Sequence, residues 1–330
     1  MAEPTTVLAV EDSPLPRIPV GDWIDTGLDW VRENFEPAID AVSDVTLAAV
    51  EGLTDGLLFF PPLVLALLLA GVGLLVRSVV FAVGSLAGLL LIQSMALWTE
   101  SMETLALLLV AVLVSVVIAV PLGIAAAKSD RVSAALRPVL DFMQTMPAFV
   151  YLVPGVVFFG LGVVPGTIIT IIFALPPGVR LTELGIRQVD RETVEAGQAF
   201  GSSPGQILRG IELPLARPTI MAGVNQVIML GLSMAVIAGI IGAGGLGGVV
   251  SRSISRLDVG LGFEGGLAVV ILAIYLDRLT ASFGGSGQGR RGIVAALAQR
   301  RRRPPSATPA TADPTTGTAP HPAPEPAGRR

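Results

Sequence analysis

The sequence predicts an all-α polytopic membrane protein of about seven transmembrane helices. Hydrophobic residues make up 52% of the 330-residue chain, and its mean hydropathy is +0.72. Uncharged runs longer than the roughly eighteen residues that mark a membrane crossing recur along it. The formal net charge of −4 averages over strongly segregated charge, with acidic residues gathered at the start and basic ones at particular breaks between runs.

Residues 1–56 are acidic: twelve Asp or Glu face only Arg17 and Arg32. A basic start followed by an apolar core is missing, so this segment is not read as a cleaved signal peptide. Ile24, Leu28, Val31, Phe35, Ile39 and Val42 recur at steps of three and four. That is the pattern of an amphipathic helix lying on the membrane or on the rest of the protein. Residues 57–76 and 78–99 are uncharged, with Arg77 alone between them, which predicts a two-helix transmembrane hairpin over 57–99. A third span covers 104–127, and a short charged loop with Lys128, Asp130, Arg131, Arg137 and Asp141 follows. The 38 uncharged positions 142–179 exceed one crossing of about 20 residues. They predict two helices that turn at Gly160, Gly162, Pro165 and Gly166. A polar loop at 180–217 precedes the uncharged run 218–251, whose Gly242 to Gly248 stretch is expected to end the helix as an irregular segment. The last span is 262–283, with Glu264 near one end and Asp277 and Arg278 near the other. The tail, 284–330, opens with the basic cluster Arg290 to Arg303 and continues in Pro, Ala and Thr, a composition that stays disordered.

Sidedness follows from basic residues in short loops, which mark the cytoplasmic face. Arg77, the Lys128 to Arg137 loop, the 180–217 loop and the Arg290 to Arg303 cluster fall on one side; the acidic N-terminus, Glu100 and Glu103 fall on the other. Arg252 and Arg256 dissent. The expected topology in a cytoplasmic (inner or plasma) membrane therefore has the N-terminus outside and the C-terminus in the cytoplasm.

Composition excludes several chemistries. There is no cysteine, so no disulfide, thiolate metal site or cysteine nucleophile exists. The single histidine, His321, lies in the tail, which excludes histidine triads and histidine metal clusters. The single lysine, Lys128, has no G-x-x-x-x-G-K-[ST] around it, and the Gly242 to Gly248 run lacks a lysine altogether. No catalytic, metal or cofactor site is expected on this chain; if ATP drives it, another chain binds the ATP.

The 180–217 loop holds EAGQAFGSSPGQILRGIELP, residues 195–214. Asp190 is placed to cap a first short helix and Glu192 to complement its dipole. Val194, Ala196, Ala199 and Phe200 are expected to give that helix its apolar contacts, and Gly201 to end it in a left-handed conformation. Ser203, Pro204 and Gln206 read as a capping box opening a second helix, with Ile207, Leu208 and Ile211 as its apolar side. Pro214 is expected to stop this helix and Pro218 to open the next span. Five arginines in the loop balance five acids. A loop lying on anionic lipid would carry a basic excess; a neutral loop rich in small residues suits a protein groove equally well. A DNA reader is a poor fit for a neutral loop pinned between two spans.

Glu195-Ala196-Gly197, three residues, Gly201, nine residues and Ile211-Glu212-Leu213-Pro214 resemble the EAA motif of ABC importer permeases, with Gly197 where alanine is usual. Glycine keeps close packing but weakens the helix by roughly 0.5–1 kcal/mol. Phe142 to Pro154, Ile172 to Pro177, Pro218 to Gln226, Ala268 to Thr280 and Ile18 to Trp23 resemble stretches of the glycine betaine and proline betaine permeases in that family. The similarity runs over about residues 17–283. It implies a type I ABC importer permease core: five helices over 100–283, with 180–217 as the cytoplasmic coupling loop.

The resemblance also implies partners. Two copies of an ATPase subunit would carry ATP and Mg, an extracytoplasmic binding protein would select the substrate, and a second permease copy would complete the pathway in the lipid bilayer. In the coupling loop Glu195 would supply a charged or capping contact, Ala196 and Gly197 close approach, Gly201 the turn and Pro214 a rigid exit, with Ile211 and Leu213 completing the motif. The translocation path is less legible. Candidates are the polar or helix-breaking groups within spans: Gln144, Thr145, Pro147, Tyr151, Asn225, Gln226 and Ser233. Each also suits helix packing. No span holds a buried charged pair suited to ion coupling, which argues against a stand-alone secondary transporter. A cation–π cage for a quaternary ammonium is not evident among three tryptophans and two tyrosines. Choline and carnitine are alternative substrates, and a non-transporting membrane scaffold is a third reading.

Overall fold

The computed structural model describes residues 19–283; the expectations for residues 1–18, for the basic cluster after 283 and for His321 lie outside the described residues. Within them the chain is helical, with no strand. Helix α1 (Val20–Leu58) departs from helical geometry at Phe35, two residues before Pro37, whose ring and missing N–H disturb the ladder. Trp23, Ile24, Trp30 and Phe35 in its first half are exposed. In its second half Val50 is buried among Ala106, Leu107, Ala235 and Ala238. No residue of the expected stripe from Ile24 to Val42 is buried, and close packing of this helix begins only beyond it, at Val50.

The chain turns by 102° into α2 (Pro62–Val76). Arg77 ends that helix, and Ser78 caps α3 (Val79–Ser94) by accepting from the Phe81 N–H. Where a two-helix transmembrane hairpin is expected, α2 and α3 have 15 and 16 residues. At 1.5 Å per residue each reaches about 22–24 Å, short of the roughly 30 Å hydrocarbon core. Helix α4 (Trp98–Lys128) follows. The expected charged loop is instead helix α5 (Asp130–Thr145), capped by Ser129. Its charges lie on the open side of an amphipathic helix whose Ser133 and Leu140 are buried. At Pro147, which cannot donate a backbone hydrogen bond, the chain bends by 104° through a 3₁₀ turn, Ala148–Tyr151, into α6 (Leu152–Phe159).

Helix α7 (Val163–Arg187) begins after Gly160 and Gly162, both at positive φ; Pro165 and Gly166, expected in the turn, already lie inside the helix. It continues through Arg180, Glu183 and Arg187, so the polar connection is shorter than 180–217. Helices α8 (Arg191–Ala199) and α9 (Pro204–Ile207), a π turn (Leu208–Glu212) and α10 (Leu213–Ala238) come next. From Pro204 to Ile241 the chain is one rod of 38 residues. Only Gly242 to Gly244 of the glycine run are irregular, because α11 (Gly245–Arg256) starts at Gly245. Helix α12 (Val259–Ala281) closes the fold. Among the described residues four helices are long and apolar enough to cross a membrane, or up to six if each bent pair counts as one span. The seven expected are not confirmed: α2, α3, α5 and α6 are each shorter than a crossing, and α1, though long enough, passes as apolar only together with α2.

Helices α4, α7 and α10 form the centre. A Cβ on Gly178 would meet Ala119 and Val227, and one on Gly231 would meet Leu108 and Thr170, so small residues set these crossings. A second core of Leu65, Leu89, Met102, Leu246 and Leu272 joins α2, α3, α4, α11 and α12. Tyr275 donates to the Leu69 carbonyl at 3.0 Å and its ring stacks on Phe81. At one end of the bundle Glu103 and Thr104 accept from the Gly245 and Leu246 N–H groups, both at 2.8 Å. They satisfy donors that a helix N-terminus leaves orphaned. Arg252, which dissented from the charge pattern, pairs with Glu100 there at 3.8 Å.

Candidate functional site

At the opposite end of the bundle, α8 and the start of the rod form a compact hairpin. Asp190 caps α8 through the Glu192 N–H at 3.2 Å. The helix ends at Gly201, with φ of 79°. The Ser203 N–H donates to Gln206 Oε1 at 2.7 Å within a complete capping box. These three local signals read the same way in the sequence. Pro214 does not. It sits in the first turn of α10 and the helix runs through it. The Leu213 N–H reaches back to the Leu208 carbonyl across the π turn, so the wider register carries the helix past a proline that would otherwise clash with the carbonyl four residues earlier. Pro218 likewise lies inside α10 rather than opening it.

Gly197 is the contact between the two arms. A Cβ there would meet Ile211 Cδ1 at 2.6 Å and Ile207 Cγ1 at 3.6 Å. Ile207 is buried, whereas Ala196, Ala199 and Phe200 are exposed. These three had been expected to supply the apolar contacts of α8. Phe200 is 90% exposed at the tip, directly before the helix-ending glycine. Sequence reasoning missed it as a surface feature; an aromatic at the apex of an otherwise polar hairpin was the available signal.

Glu195 lies on the other flank of α8. It lines a cleft of about 380 Å³ together with Lys128, Arg187, Arg191, Gln198 and Glu212. It makes no ion pair among the described residues. Below it, Lys128 at the end of α4 pairs with Glu212 in the π turn, and Glu212 is only 7% exposed. Arg187 pairs with Asp130 and Glu183 at 2.9 Å each and donates to the Ala126 carbonyl at 2.8 Å. Ser133 donates to Glu183 at 2.7 Å, and Arg180 pairs with Asp141. The Lys128–Glu212 pair thereby joins the hairpin to the end of α4, and the Arg187, Ser133 and Arg180 contacts tie the ends of α4, α5 and α7 to one another. Leu213 is half-buried at the head of α10.

The candidate path residues do not converge. Tyr151 is buried, donates to the Met143 carbonyl at 2.6 Å and shares a cluster with Ile169 and Met234. Asn225 donates to Asp277 at 2.7 Å and accepts from Thr280 at 3.2 Å, which ties α10 to α12. Both therefore serve the internal structure in this conformation. Gln144, Thr145 and Pro147 are exposed around the α5 bend. Gln226 and Ser233 are exposed on α10, one helical stripe with Met229 and Ile240.

A bundle of apolar helices with a structured polar hairpin between two of them defines a class: a multi-pass α-helical membrane protein. The comparisons carry this further. Residues 119–283 match the model of the binding-protein-dependent transport system inner membrane component family. The chain is 49% identical over 273 residues to the glycine betaine/proline betaine transport system permease protein ProW of Escherichia coli, covering 83% of this chain and 77% of that one. It is 46% identical over 266 residues to the glycine betaine transport system permease protein OpuAB of Bacillus subtilis, covering 81% and 94%. Among solved structures, a chain of the MetNI methionine ABC transporter in an inward-facing form superposes with a TM-score of 0.50 at 22% identity, covering 54% of this chain and 89% of that one; this likeness concerns the fold. The chain belongs to the binding-protein-dependent transport system inner membrane component family. It is an ABC importer permease, a transport subunit that works with an ATPase and a substrate-binding protein.

Proposed function

We propose that this chain is the transmembrane subunit of an ATP-driven importer of glycine betaine, proline betaine or a related quaternary ammonium osmoprotectant. The observation that carries the reading is 46–49% identity, across four fifths of the chain, to two permeases named for glycine betaine. In this reading two copies of the chain meet around one pathway, two ATPase subunits hold ATP and Mg, and the hairpin docks on them at the cytoplasmic face. Phe200, Ala196 and Ala199 offer the apolar contact. Glu195 acts at the rim, Gly197 lets the two arms close, and Gly201 sets the bend.

The mechanics follow from the attachments. The hairpin continues into α10 without a break, so its displacement moves α10 as a rod. The Lys128–Glu212 and Arg187–Asp130 pairs link the same movement to α4, α5 and α7. The open stripe of Gln226, Met229 and Ser233 then faces the second copy across the pathway.

The test is betaine-stimulated ATP hydrolysis and uptake in liposomes holding this chain, its ATPase and its binding protein. Glu195→Lys and Phe200→Ser are expected to lower coupled hydrolysis while the variant permease still inserts. Uptake that needs no ATPase would instead support a stand-alone transporter. Competition by unlabelled choline or carnitine as effective as by betaine would move the substrate assignment to those amines.

A further inference from the structure

A cleft of about 400 Å³ lies between α3 and α12, away from the hairpin and from the α4–α7–α10 centre. Its upper end is formed by Arg77 and Arg278, and its wall by Val80, Gly84, Ile274 and Tyr275. The Arg77 guanidinium donates to the Arg278 carbonyl at 2.9 Å and lies 5.9 Å from the centre of the Phe81 ring. Among the described residues it has no carboxylate partner. The neighbouring acid Asp277 is engaged by Asn225 at 2.7 Å and lies 3.7 Å from Arg278. The cleft opens outward from the bundle, since Val80 is 84% exposed and Ile274 is also exposed. A Cβ on Gly84 would meet nothing within 4 Å. Ser85, which lines the cleft, is buried, and its hydroxyl lacks a hydrogen-bond partner among the described residues.

Length decides what this cleft fits. It runs along α3 from Arg77 and Ser78 to Gly88, opposite Ile271. Ten helical steps from Ser78 to Gly88 span about 15 Å, half of a roughly 30 Å hydrocarbon core, which is the depth of one leaflet. Two cations at the rim and an apolar channel one leaflet deep match a phospholipid: the phosphate meets the guanidiniums and an acyl chain fills the space left by the missing Cβ of Gly84. Basic pockets between transmembrane helices on the cytoplasmic side are suited to anionic headgroups.

We infer that the α3–α12 cleft is a binding site for an anionic phospholipid of the leaflet on the hairpin side, held by Arg77 and Arg278. The inference rests on the membrane-spanning reading but not on the substrate or on coupling to ATP.

The experiment uses the complete transporter, this chain with its ATPase and binding protein, equilibrated with vesicles of equal parts phosphatidylglycerol and phosphatidylcholine. The purified complex is then weighed intact to count retained lipids. Phosphatidylglycerol is expected to be retained in preference to phosphatidylcholine. Arg278→Gln is expected to lower its retention about fivefold, the loss of one cation at a lipid surface, and Arg278→Lys to keep it. Gly84→Phe fills the channel without touching a charge and is expected to expel the lipid, while Gly84→Ala does not. Equal retention of the two lipids overturns the site, as does undiminished phosphatidylglycerol in both Arg278→Gln and Gly84→Phe. Displacement by inorganic phosphate also overturns it, since the ligand would then be a soluble anion. Betaine uptake measured on the same preparation keeps the two readings apart: lost uptake with lipid selectivity intact counts against the transport assignment alone.

Discussion

Gly239 and Gly247 meet backbone to backbone where α10 ends and α11 begins. A Cβ on Gly247 would lie 2.6 Å from the Val236 carbonyl oxygen and 2.8 Å from that of Ala235. Backbone cannot swing aside as a side-chain end can, so Gly247→Ala must push α11 off α10. Overpacking of this kind destabilises by about 1–3 kcal/mol. A clear fall in the melting temperature of the detergent-solubilised permease is expected; melting at the wild-type temperature would mean that the two helices are not held this close. Lys128 poses the opposite problem. Glu212 is almost wholly buried and Lys128 is half-exposed. Lys128→Met leaves a buried carboxylate without its partner, a loss of about 1–3 kcal/mol, with solvent access to the lysine favouring the lower end. The double variant Lys128→Met, Glu212→Gln removes the uncompensated charge and is expected to melt above the single one. A double variant no more stable than Lys128→Met would show that the pair is not coupled.

Among elements, the hairpin repays the closest comparison with its sequence. Its punctuation was legible because each signal is local: Asp190, Gly201 and the Ser203 to Gln206 box act on backbone groups within a few residues of themselves. Its continuation was not. Pro214 marks a stop only if the helix keeps an α register, and the π turn that carries the chain past it belongs to a rod packed against α4 and α7. Helix α5 was hidden for a related reason. Its charges read as loop until Ser133 and Leu140 are seen to face α7 and its neighbours. Asn225 looked like a path residue because its partners, Asp277 and Thr280, lie more than fifty positions away. The tie makes a prediction for the element: Asn225→Ala is expected to lower thermal stability by about 1 kcal/mol, while betaine concentration dependence of uptake stays unchanged. A shifted concentration dependence at unaltered stability would return Asn225 to the path. At the hairpin tip, docking Phe200 would bury one aromatic side chain, worth about 1.5–3 kcal/mol, or roughly 10- to 100-fold in affinity. Phe200→Ser is expected to weaken ATPase pull-down by that factor; equal recovery would place the docking surface elsewhere on the hairpin.

At the scale of the whole molecule, the contacts sort the chain into two ends. Arg77 meets the end of α12, and Lys128, Asp130, Arg187 and Glu212 meet around the hairpin. Glu100, Glu103, Gly245 and Arg252 gather where α4 begins. The charge pattern had separated these groups from sequence alone because the insertion rule acts on loops, not on folded contacts. Arg252, one of the two dissenting arginines, pairs with Glu100 at that end, while Arg256 makes no ion pair among the described residues. Which end faces the cytoplasm is an expectation from that same rule, and labelling tests it directly. The chain has no cysteine, so each introduced thiol is unique. Thr26→Cys and Ser255→Cys occupy exposed positions toward the acidic end, while Ser78→Cys and Ser202→Cys lie at the α2–α3 turn and the hairpin. A membrane-impermeant maleimide added to spheroplasts is expected to label the first two at once and the last two only after the membrane is opened. The reverse pattern would place the hairpin outside the cell, away from any cytoplasmic ATPase, and would remove the physical basis for coupling through it. Labelling of all four before permeabilisation would mean that the short arms of α2 and α3 do not seal a crossing, and that the spans are those of the longer helices alone.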